Sequence, residues 1–309
     1  METTIISKAE WSERTKKSPY TTAFHDICLI DLFLRNLGGE YILFFSTESN
    51  KEWLTCAFTG NPWNISQSTF TTSSVGYGGP LPLHEIQNWE EEIQNIKSVI
   101  HEIGAFINKT FIRGQLYPSA HWVNALEDNI YDFGKTLIIK LNDDLDYTFN
   151  FTISGNARTA IRKAQNSAVS IKEVSNLHEL SQAHELITST QKTQGAHYIT
   201  PFTLLKDILF DNTIPAKIFI AVFDDIIIGS VVLLENHLQS FHWLHGWDRK
   251  FAKVCGNQLL MWAMLQNCIK RSSFSLNLGS SYTSGQIEAK KKWGAEFNNI
   301  IFLSKENIY

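Results

Sequence analysis

In the second half of the chain, apolar residues recur at helical spacing in some stretches and form unbroken runs in others. The residues that share one face of a helix predicted over residues 154–168 are Ala157, Ile161, Ala164 and Ala168. A second helix is predicted over residues 176–195, and its in-register positions are Leu177, Leu180, His184 and Ile187. Both spacings are those of one helix face.

The remaining pattern of this half alternates strands and helices. Asp224 and Asp225 separate two β-rich runs and predict a hairpin. The run over residues 256–271 is apolar almost all round, which predicts a buried helix, and its basic last turn suits the helix dipole. After the first helix, the predicted order is strand 169–174, helix 176–195, helix 200–211, hairpin 216–235, strand 238–247, helix 256–271, strand 273–279, helix 284–294 and strand 296–304.

The first half repeats the later part of that order. Its predicted elements are strands 39–48, 52–60 and 66–79, helix 88–107, and strands 109–117 and 135–142. The buried stripe of the helix is predicted to be Ile93, Ile96, Ile100 and Ile103. A diverged structural duplication is plausible. We place the boundary in the polar residues 142–151 and predict two domains, residues 1–145 and 146–309.

The net charge of −4 conceals an uneven distribution. Residues 1–150 hold 11 Lys and Arg against 19 Asp and Glu, whereas residues 151–309 hold 16 against 12. A positive second half favours an anionic ligand there. An imbalance of this size also arises by chance in two-domain proteins, and both explanations stay open.

Composition narrows the class of protein. With 43% hydrophobic and 12% aromatic residues in 309, the chain is expected to be globular. The first residues lack the apolar core of a signal peptide, and the longest apolar run, residues 218–234, is broken by two aspartates, so no membrane span is expected. Four cysteines without CxxC spacing predict reduced thiols and no metal site. We expect a soluble cytoplasmic protein.

Four local patterns stand out by their order and spacing. They are VGYGGPLP (residues 75–82), ARTAIRKAQNSAVSIKEV (157–174), GNQLLMWAMLQNCIKRSSFSLNLGSS (256–281) and AKKKWGAEF (289–297). Through these patterns the chain resembles the Fem-type aminoacyltransferases and their GNAT-domain relatives. The fourth pattern is similar to the family signature Phe-Lys-x-x-Trp-Gly, with Ala289 where phenylalanine is usual. The resemblance covers nearly the whole chain.

The resemblance implies an α/β fold with mixed sheets, arranged as two tandem GNAT-like domains. It also implies an enzyme that transfers an acyl group to an amine and forms an amide. The donor would be an aminoacyl-tRNA or an acyl-CoA acting as co-substrate, with no permanently bound cofactor. The acceptor would be an amine, with or without a phosphate group, on a peptide, a sugar-nucleotide precursor or a small metabolite. No DNA partner is expected.

Three consecutive lysines, residues 290–292, stand out because adjacent ammonium groups repel one another. On a helix they spread about 100° apart, so at most two share a face. The resemblance places Lys290 near the reacting carbonyl, where a cation stabilises developing negative charge. Lys292 follows Glu288 by four residues and predicts a surface ion pair. The role of Lys291 stays open, and a solvated basic turn is the alternative for all three.

Two further groups are candidates for substrate binding. Arg158 and Arg162 lie four residues apart, so they share a helix face and offer planar donor forks to a diphosphate or carboxylate. Tyr77, Gly78 and Gly79 belong to the segment that resembles the family's tyrosine- and glycine-rich loop, where backbone approaches a ligand closely. The alternatives are a solvated helix face and an ordinary turn.

The strand over residues 238–247 borders the acyl channel by resemblance. His242 and His245 should lie on opposite faces of a regular strand, and no carboxylate or thiol is near them, so a metal site is not expected. His245, on the aromatic face with Trp243, is a candidate proton acceptor. Trp243 itself is a candidate substrate-binding residue that borders the channel. Tyr282 is a candidate donor to the leaving group. A core histidine and a packed loop tyrosine are the alternatives.

The turn before the helix at residue 256 is a candidate phosphate cradle. GNAT proteins bind the CoA pyrophosphate on backbone N–H groups at this point. Lys253, Gly256 and Asn257 match the position, whereas Gln258 stands where glycine or alanine is usual. This departure argues mildly against CoA, and no RNA-binding module argues for tRNA.

The leading prediction is therefore a cytoplasmic N-acyltransferase that uses an aminoacyl or acyl donor. Its first alternative is an acyl-CoA-dependent GNAT enzyme. A second alternative is a catalytically silent GNAT-like binding protein, in which Lys290 and the arginines hold an anionic ligand.

Overall fold

The computed structural model describes residues 1–60, 65–73, 78–116, 132–196, 198–281 and 283–304. By its internal contacts the chain divides into two compact units: unit 1 is Met1–Thr136 with Phe297–Tyr309, and unit 2 is Leu137–Glu296. The predicted boundary lies after residue 145, whereas this division falls between Thr136 and Leu137, inside a strand. It also assigns nearly all of the last strand to unit 1. That strand forms an antiparallel ladder with a strand of unit 1, Ile301 opposite Leu116.

Unit 1 contains a mixed sheet with helices. Its elements are β1 (Glu2–Ile5), α1 (Lys8–Thr15), α2 (Ile27–Leu37), β2 (Glu40–Glu48), β3 (Lys51–Thr59), β4 (Thr69–Thr71), β5 (Leu81–Pro82), α3 (Trp89–Ile107), β6 (Thr110–Leu116), the start of β7 (Asp132–Lys140) and β13 (Glu296–Ser304). The strand order is β1-β2-β3-β4-β6-β13, with β5 paired to β3. The pairs are antiparallel except β4 with β6.

Two apolar clusters form the core of unit 1. The predicted stripe of α3 is buried in one of them, with Ile93, Ile100 and Ile103 fully inaccessible beside Trp53 and Phe70. The other cluster joins Trp11 of α1 and Ile30 of α2 to strand residues. Neither α1 nor α2 was among the predicted elements.

Unit 2 has the predicted order of elements. They are the end of β7, α4 (Leu145–Tyr147), a π-helical turn (Thr148–Thr152), α5 (Gly155–Asn166), β8 (Ser170–Glu173), α6 (Leu177–Thr193), α7 (Phe202–Phe210), β9 (Ala216–Phe223), β10 (Ile226–Leu234), β11 (Gln239–Trp247), a 3₁₀ turn (Arg249–Val254), α8 (Gly256–Lys270), β12 (Ser275–Ser280) and α9 (Ser284–Lys291). The strand order is β7-β12-β11-β10-β9-β8.

Periodicity located most buried positions of unit 2. Ala157, Ile161 and Ala164 of α5 are buried as predicted, whereas Ala168 lies past the end of the helix, with φ at 58° and its side chain exposed. Leu177 of α6 is likewise exposed because it occupies the first helical position. Both deviations lie at helix ends, where the helical period no longer sets the direction of the side chain.

Two sequence signals for local structure are confirmed. Asp224 and Asp225 both have positive φ, as a two-residue hairpin turn between β9 and β10 requires. Helix α8 is buried along much of its length and ends in the exposed Lys270. In the described part of the chain, each helix is too short or too polar to cross a bilayer.

Candidate active site

The strands β11 and β12 of unit 2 run parallel but pair over only three positions. The recorded ladder runs from Gln239 opposite Ser275 to Phe241 opposite Asn277. Beyond it, β11 continues to Trp247 and β12 to Ser280. The two strands therefore part toward their carboxyl ends, and the backbone groups there are available to other partners.

Lys290 of α9 reaches the parted end of β12. Its Nζ donates hydrogen bonds to the carbonyl oxygens of Gly279 at 2.8 Å and Ser280 at 2.9 Å. The side chain is half-buried, and burial lowers the pKa of its ammonium to about 8. A lysine held by two neutral carbonyls, with no carboxylate among its described contacts, keeps a positive charge that a substrate can use.

A β-bulge at Trp243 changes the face on which the histidines of β11 lie. Val232 of β10 pairs with Leu244 while the next residue, Leu233, pairs with His242, so Trp243 is the extra residue. His242 and His245 consequently lie on one face, with ring centroids 5.5 Å apart. The prediction that they lie on opposite faces is wrong, because one extra residue reverses the alternation beyond it.

The positive charge of Lys290 lowers the pKa of both imidazoles, but the two rings differ in solvent exposure and in hydrogen-bond partners. Burial, followed by the charges of His245 and Lys290, lowers the pKa of His242 well below its ordinary value. Burial and then Lys290 lower the pKa of His245. Solvent reaches the ring of His245, although protein crowds it, and Gln194 Nε2 lies 3.5 Å from its Nε2. The Nε2 of His242 is shielded from solvent and has no partner among the described residues.

Arg158 hydrogen-bonds to backbone carbonyls, a contact that the helix pattern did not predict. Its Nη1 donates to the carbonyl oxygens of Asn150 at 2.6 Å, Ile153 at 2.7 Å and Phe149 at 3.4 Å. These carbonyls belong to the π-helical turn and its end, which a regular helix would have paired internally. One end of the guanidinium therefore holds the turn before α5, and anion binding by Arg158 stays a prediction.

Arg162 fits the prediction of a solvent-facing cation better. Its side chain is exposed, and its guanidinium lies 5.3 Å from the ring centroid of Phe149. Phe149 in turn contacts Trp262 of α8, with centroids 5.1 Å apart. Arg162 is thus positioned over an aromatic ring while its donors remain accessible.

The start of α8 combines exposed cations with a closely packed glycine. Lys253 and Asn257 are exposed, whereas Gly256 is buried. A Cβ on Gly256 would come within 2.8 Å of Ile228, so internal packing alone accounts for that glycine. Arg249 and Lys250 add two exposed cations to the turn before the helix. Phosphate binding here stays a prediction.

The glycine-rich loop lies in unit 1. Gly79 has a φ of 107° and donates its N–H to Thr72 O at 2.9 Å. A Cβ on Gly78 would lie 3.0 Å from the same oxygen, and Gly78 lines a cavity of about 20 Å³. These two glycines thus allow the loop to pack closely against the backbone of Thr72. Tyr77 and Tyr282, which were also predicted, lie outside the described residues.

Among the three consecutive lysines, the ion pair with Glu288 involves a different residue from the predicted one. Glu288 pairs with Lys291, 3.7 Å away, rather than with Lys292. The helix ends at Lys291, and Lys292 is its C-cap, so the side chain of Lys292 no longer follows the helical period. Its carbonyl accepts a hydrogen bond from Ser154 N at 2.8 Å, which ties the end of α9 to the start of α5.

The sequence singled out Lys290, whose catalytic role stays a prediction, but not the carbonyl oxygens that its Nζ contacts. His242 was considered only as a metal ligand, and the carbonyls of Gly279 and Ser280 carry no side-chain signal. Trp243, predicted as a channel residue, is the half-buried bulge residue. Within the described ranges, no group of three or more His, Cys, Asp or Glu side chains is placed to hold a metal ion.

A family model matches most of unit 2. Residues 154–283, from the start of α5 to the residue before α9, match the family model described as acetyltransferase (GNAT) domain. Unit 2 therefore carries a GNAT domain, the class of domain that transfers acyl groups. No curated protein sequence matches the chain.

Solved structures extend the likeness to the whole chain. FemX is similar with a TM-score of 0.73 at 12% identity, over 100% of this chain and 99% of FemX. The C-terminal domain of a putative lysylphosphatidylglycerol synthetase from Agrobacterium fabrum is similar with a TM-score of 0.57 at 12% identity, over 97% and 93%. A tandem GNAT protein from the clavulanic acid biosynthesis pathway is similar with a TM-score of 0.52 at 10% identity, over 98% of each.

At these identities the likeness shows the fold. The chain has the FemX-like, tandem GNAT fold, which confirms the predicted fold class and the resemblance to the Fem-type proteins.

Proposed function

We propose that the protein is an N-acyltransferase that moves an aminoacyl or acyl group from an activated carrier to an amine. The GNAT domain in unit 2 supports acyl transfer in general. The observation that carries the proposal is the ammonium of Lys290 beside two imidazoles, where β11 and β12 part.

The geometry of Lys290 suits an oxyanion. An ammonium has three N–H donors, and two of them go to Gly279 O and Ser280 O. These two hydrogen bonds fix the direction of the third, which is available to the oxygen of a reacting carbonyl. Negative charge grows on that oxygen as the amine attacks, so a prearranged cation stabilises the transition state more than the bound substrate.

The carrier is an anion in either version of the reaction. Aminoacyl-tRNA and acyl-CoA both carry phosphates, and Lys253 with its exposed basic neighbours Arg249 and Lys250 precedes the N-terminus of α8. Arg162 offers a further accessible cation. We favour an aminoacyl ester as the donor, because Gln258 occupies the place of a small residue in the phosphate turn. An acyl-CoA thioester is the alternative, which the acetyltransferase family model favours.

The proposed acceptor is an amine, with or without a phosphate group, on a peptide, a sugar-nucleotide precursor or a small metabolite. The amine attacks the acyl carbon, the N–C bond forms, and the C–O or C–S bond to the carrier breaks. A proton leaves the amine nitrogen and ends on the departing oxygen or sulfur. No covalent enzyme intermediate is needed.

The test is a donor panel with purified protein. Aminoacyl-tRNAs and acyl-CoAs would each be mixed with glycinamide and with hydroxylamine, and the amide products detected by mass spectrometry. Amide formation above the uncatalysed rate with one donor class, lost in Lys290→Met and kept in Lys292→Met, would support the proposal and identify the donor.

Binding without transfer would contradict it. If a donor binds but no amide forms with either acceptor, the protein is a silent GNAT-like binding protein. If both lysine variants lose equal activity, the triplet acts as a diffuse positive patch and Lys290 has no special role.

A further inference from the structure

An unpartnered nitrogen lies beside Lys290. In the described part of the chain, His242 Nε2 is one of a few buried side-chain atoms without a hydrogen-bond partner. Another is the Oγ of Ser281, the residue that follows the Ser280 carbonyl bound by Lys290. A buried polar atom left unpaired costs about 1–3 kcal/mol, so folded proteins keep few of them. We take His242 Nε2, which lies within the charge field of Lys290, as a group that a ligand completes.

The position of His242 results from the strand geometry rather than from its place in the sequence. The bulge at Trp243 puts His242 on the face of His245, with centroids 5.5 Å apart. The ladder between β11 and β12 ends one residue before His242, after Phe241. His242 is therefore the first residue of β11 beyond the ladder, where the strands part.

We infer that His242 Nε2 is the proton acceptor of the attacking amine. The inference rests on the proposed acyl transfer. An N–H of the amine donates to Nε2, which turns the nitrogen lone pair toward the acyl carbon. As the N–C bond forms, the nitrogen becomes acidic and its proton passes to Nε2. The proton then moves to the oxygen or sulfur that leaves as the C–O or C–S bond breaks.

The charges around the ring keep it neutral before the reaction, and by the same effect they favour onward transfer of the accepted proton to the leaving group. Lys290 and His245 are the titratable groups that act on His242, and each disfavours a positive imidazole. The ring is consequently neutral when the amine arrives and can accept a hydrogen bond. His245 is a weaker candidate, because its Nε2 already faces Gln194 and solvent reaches it.

The experiment compares His242→Gln with His237→Gln in single turnovers. Glutamine keeps a hydrogen-bonding oxygen but accepts no proton, and His237 is an exposed control before β11. With glycinamide as acceptor, His242→Gln should slow transfer by roughly 10²–10⁴-fold, as loss of a positioned base does. With hydroxylamine, a weakly basic nucleophile, the loss should be at least tenfold smaller. His237→Gln should match the parent protein.

Equal losses with the two acceptors would overturn the inference, since a merely structural role affects both alike. So would a rate with glycinamide unchanged by His242→Gln. His242→Asn, with its melting temperature, serves as a second variant if glutamine unfolds the site. An inactive parent protein would instead contradict the proposed function, which separates the two failures.

A second readout does not depend on turnover. In ¹⁵N spectra of the histidine rings, the His242 signals are those missing from His242→Gln. We expect this ring to be neutral at about pH 6 and its Nε2 to shift when glycinamide is added with a non-reactive donor analogue. A ring that is charged at that pH would overturn the assignment. So would an Nε2 chemical shift that does not change when the amine is added.

Discussion

Each unit contains a cluster of buried or half-buried ionisable groups, and the two clusters differ in how their atoms are paired. In unit 1, the carboxylate of Glu92 is 1% exposed and accepts from Trp53 Nε1 at 2.5 Å, with His84 Nε2 at 3.1 Å. The other ring nitrogen of His84 faces the backbone of Glu52. In unit 2, the hydrogen bonds recorded for Lys290 go to backbone carbonyls. His242 Nε2 has no hydrogen-bond partner among the residues that the structure describes.

We interpret this difference, in line with the proposed function, as one between groups that stabilise a fold and groups that a ligand completes. A fully paired polar network in a low dielectric rigidifies the core around it. An incomplete one costs stability, and such a cost is found where function requires it. Exposure alone would not distinguish the two clusters, since each combines a buried polar atom with half-buried side chains. The pairing of individual atoms does.

The largest expected effect is on the chemical step of acyl transfer. Lys290→Met should slow the single-turnover rate by roughly 10²–10³-fold, because one oxyanion donor is lost. Donor affinity should change much less, since the charge that Lys290 meets develops in the transition state. Lys292→Met is the matched control and should cost little. A fall in donor affinity alone would make Lys290 an anchor for the substrate.

Glu92→Ala should reduce stability and leave chemistry intact. Removing the carboxylate leaves the buried Trp53 N–H without its acceptor and takes a partner from His84 Nε2, which should lower the free energy of unfolding by about 2–4 kcal/mol. Glu90→Ala, an exposed first-turn residue of the same helix, should cost less than about 1 kcal/mol. Denaturant unfolding measures both. A slowed transfer rate at unchanged stability would assign Glu92 to function and break the comparison.

The two arginines of α5 provide a smaller contrast inside unit 2. Arg158→Ala should lower the free energy of unfolding by about 1–3 kcal/mol, because the carbonyls of Asn150 and Ile153 lose their donor. Arg162→Ala should stay within about 0.5 kcal/mol and weaken binding of the phosphate-bearing donor. Melting curves and donor titrations on the same samples check both. Equal melting of the two variants would show that the carbonyl contacts add nothing.

The smallest effect is on the pH profile near neutrality. Burial holds the pKa of Lys290 at about 8, so the protonated form that stabilises an oxyanion is lost as pH rises through that value. With hydroxylamine as acceptor, the transfer rate should fall above about pH 8 in the parent protein and not in Lys290→Met. A rate that rises through the same range only when Lys290 is present would identify a neutral lysine acting as a base.

Much of the fold was predictable because its signals are local. The isoleucine stripe of α3, the aspartate pair of the β9–β10 hairpin and the apolar α8 each report their structure within a few residues. Lys290 could be singled out in the same way, since its signature spans one short helix, and its role stays a prediction. The N-terminal helices α1 and α2 were missed, although their buried Trp11 and Ile30 anchor a core cluster.

The tertiary structure alone decided the pairing of polar atoms. Arg158 looked like a free helical cation, and only the π-helical turn before α5 supplies the carbonyls that it holds. His242 and His245 looked separated, and the register between β10 and β11 brings them together. A bulge depends on the partner strand as well as on its own sequence, so no spacing rule within β11 could locate it. The sequence determined which chemical groups the protein carries, whereas contacts between distant segments determined which of them remain unpaired.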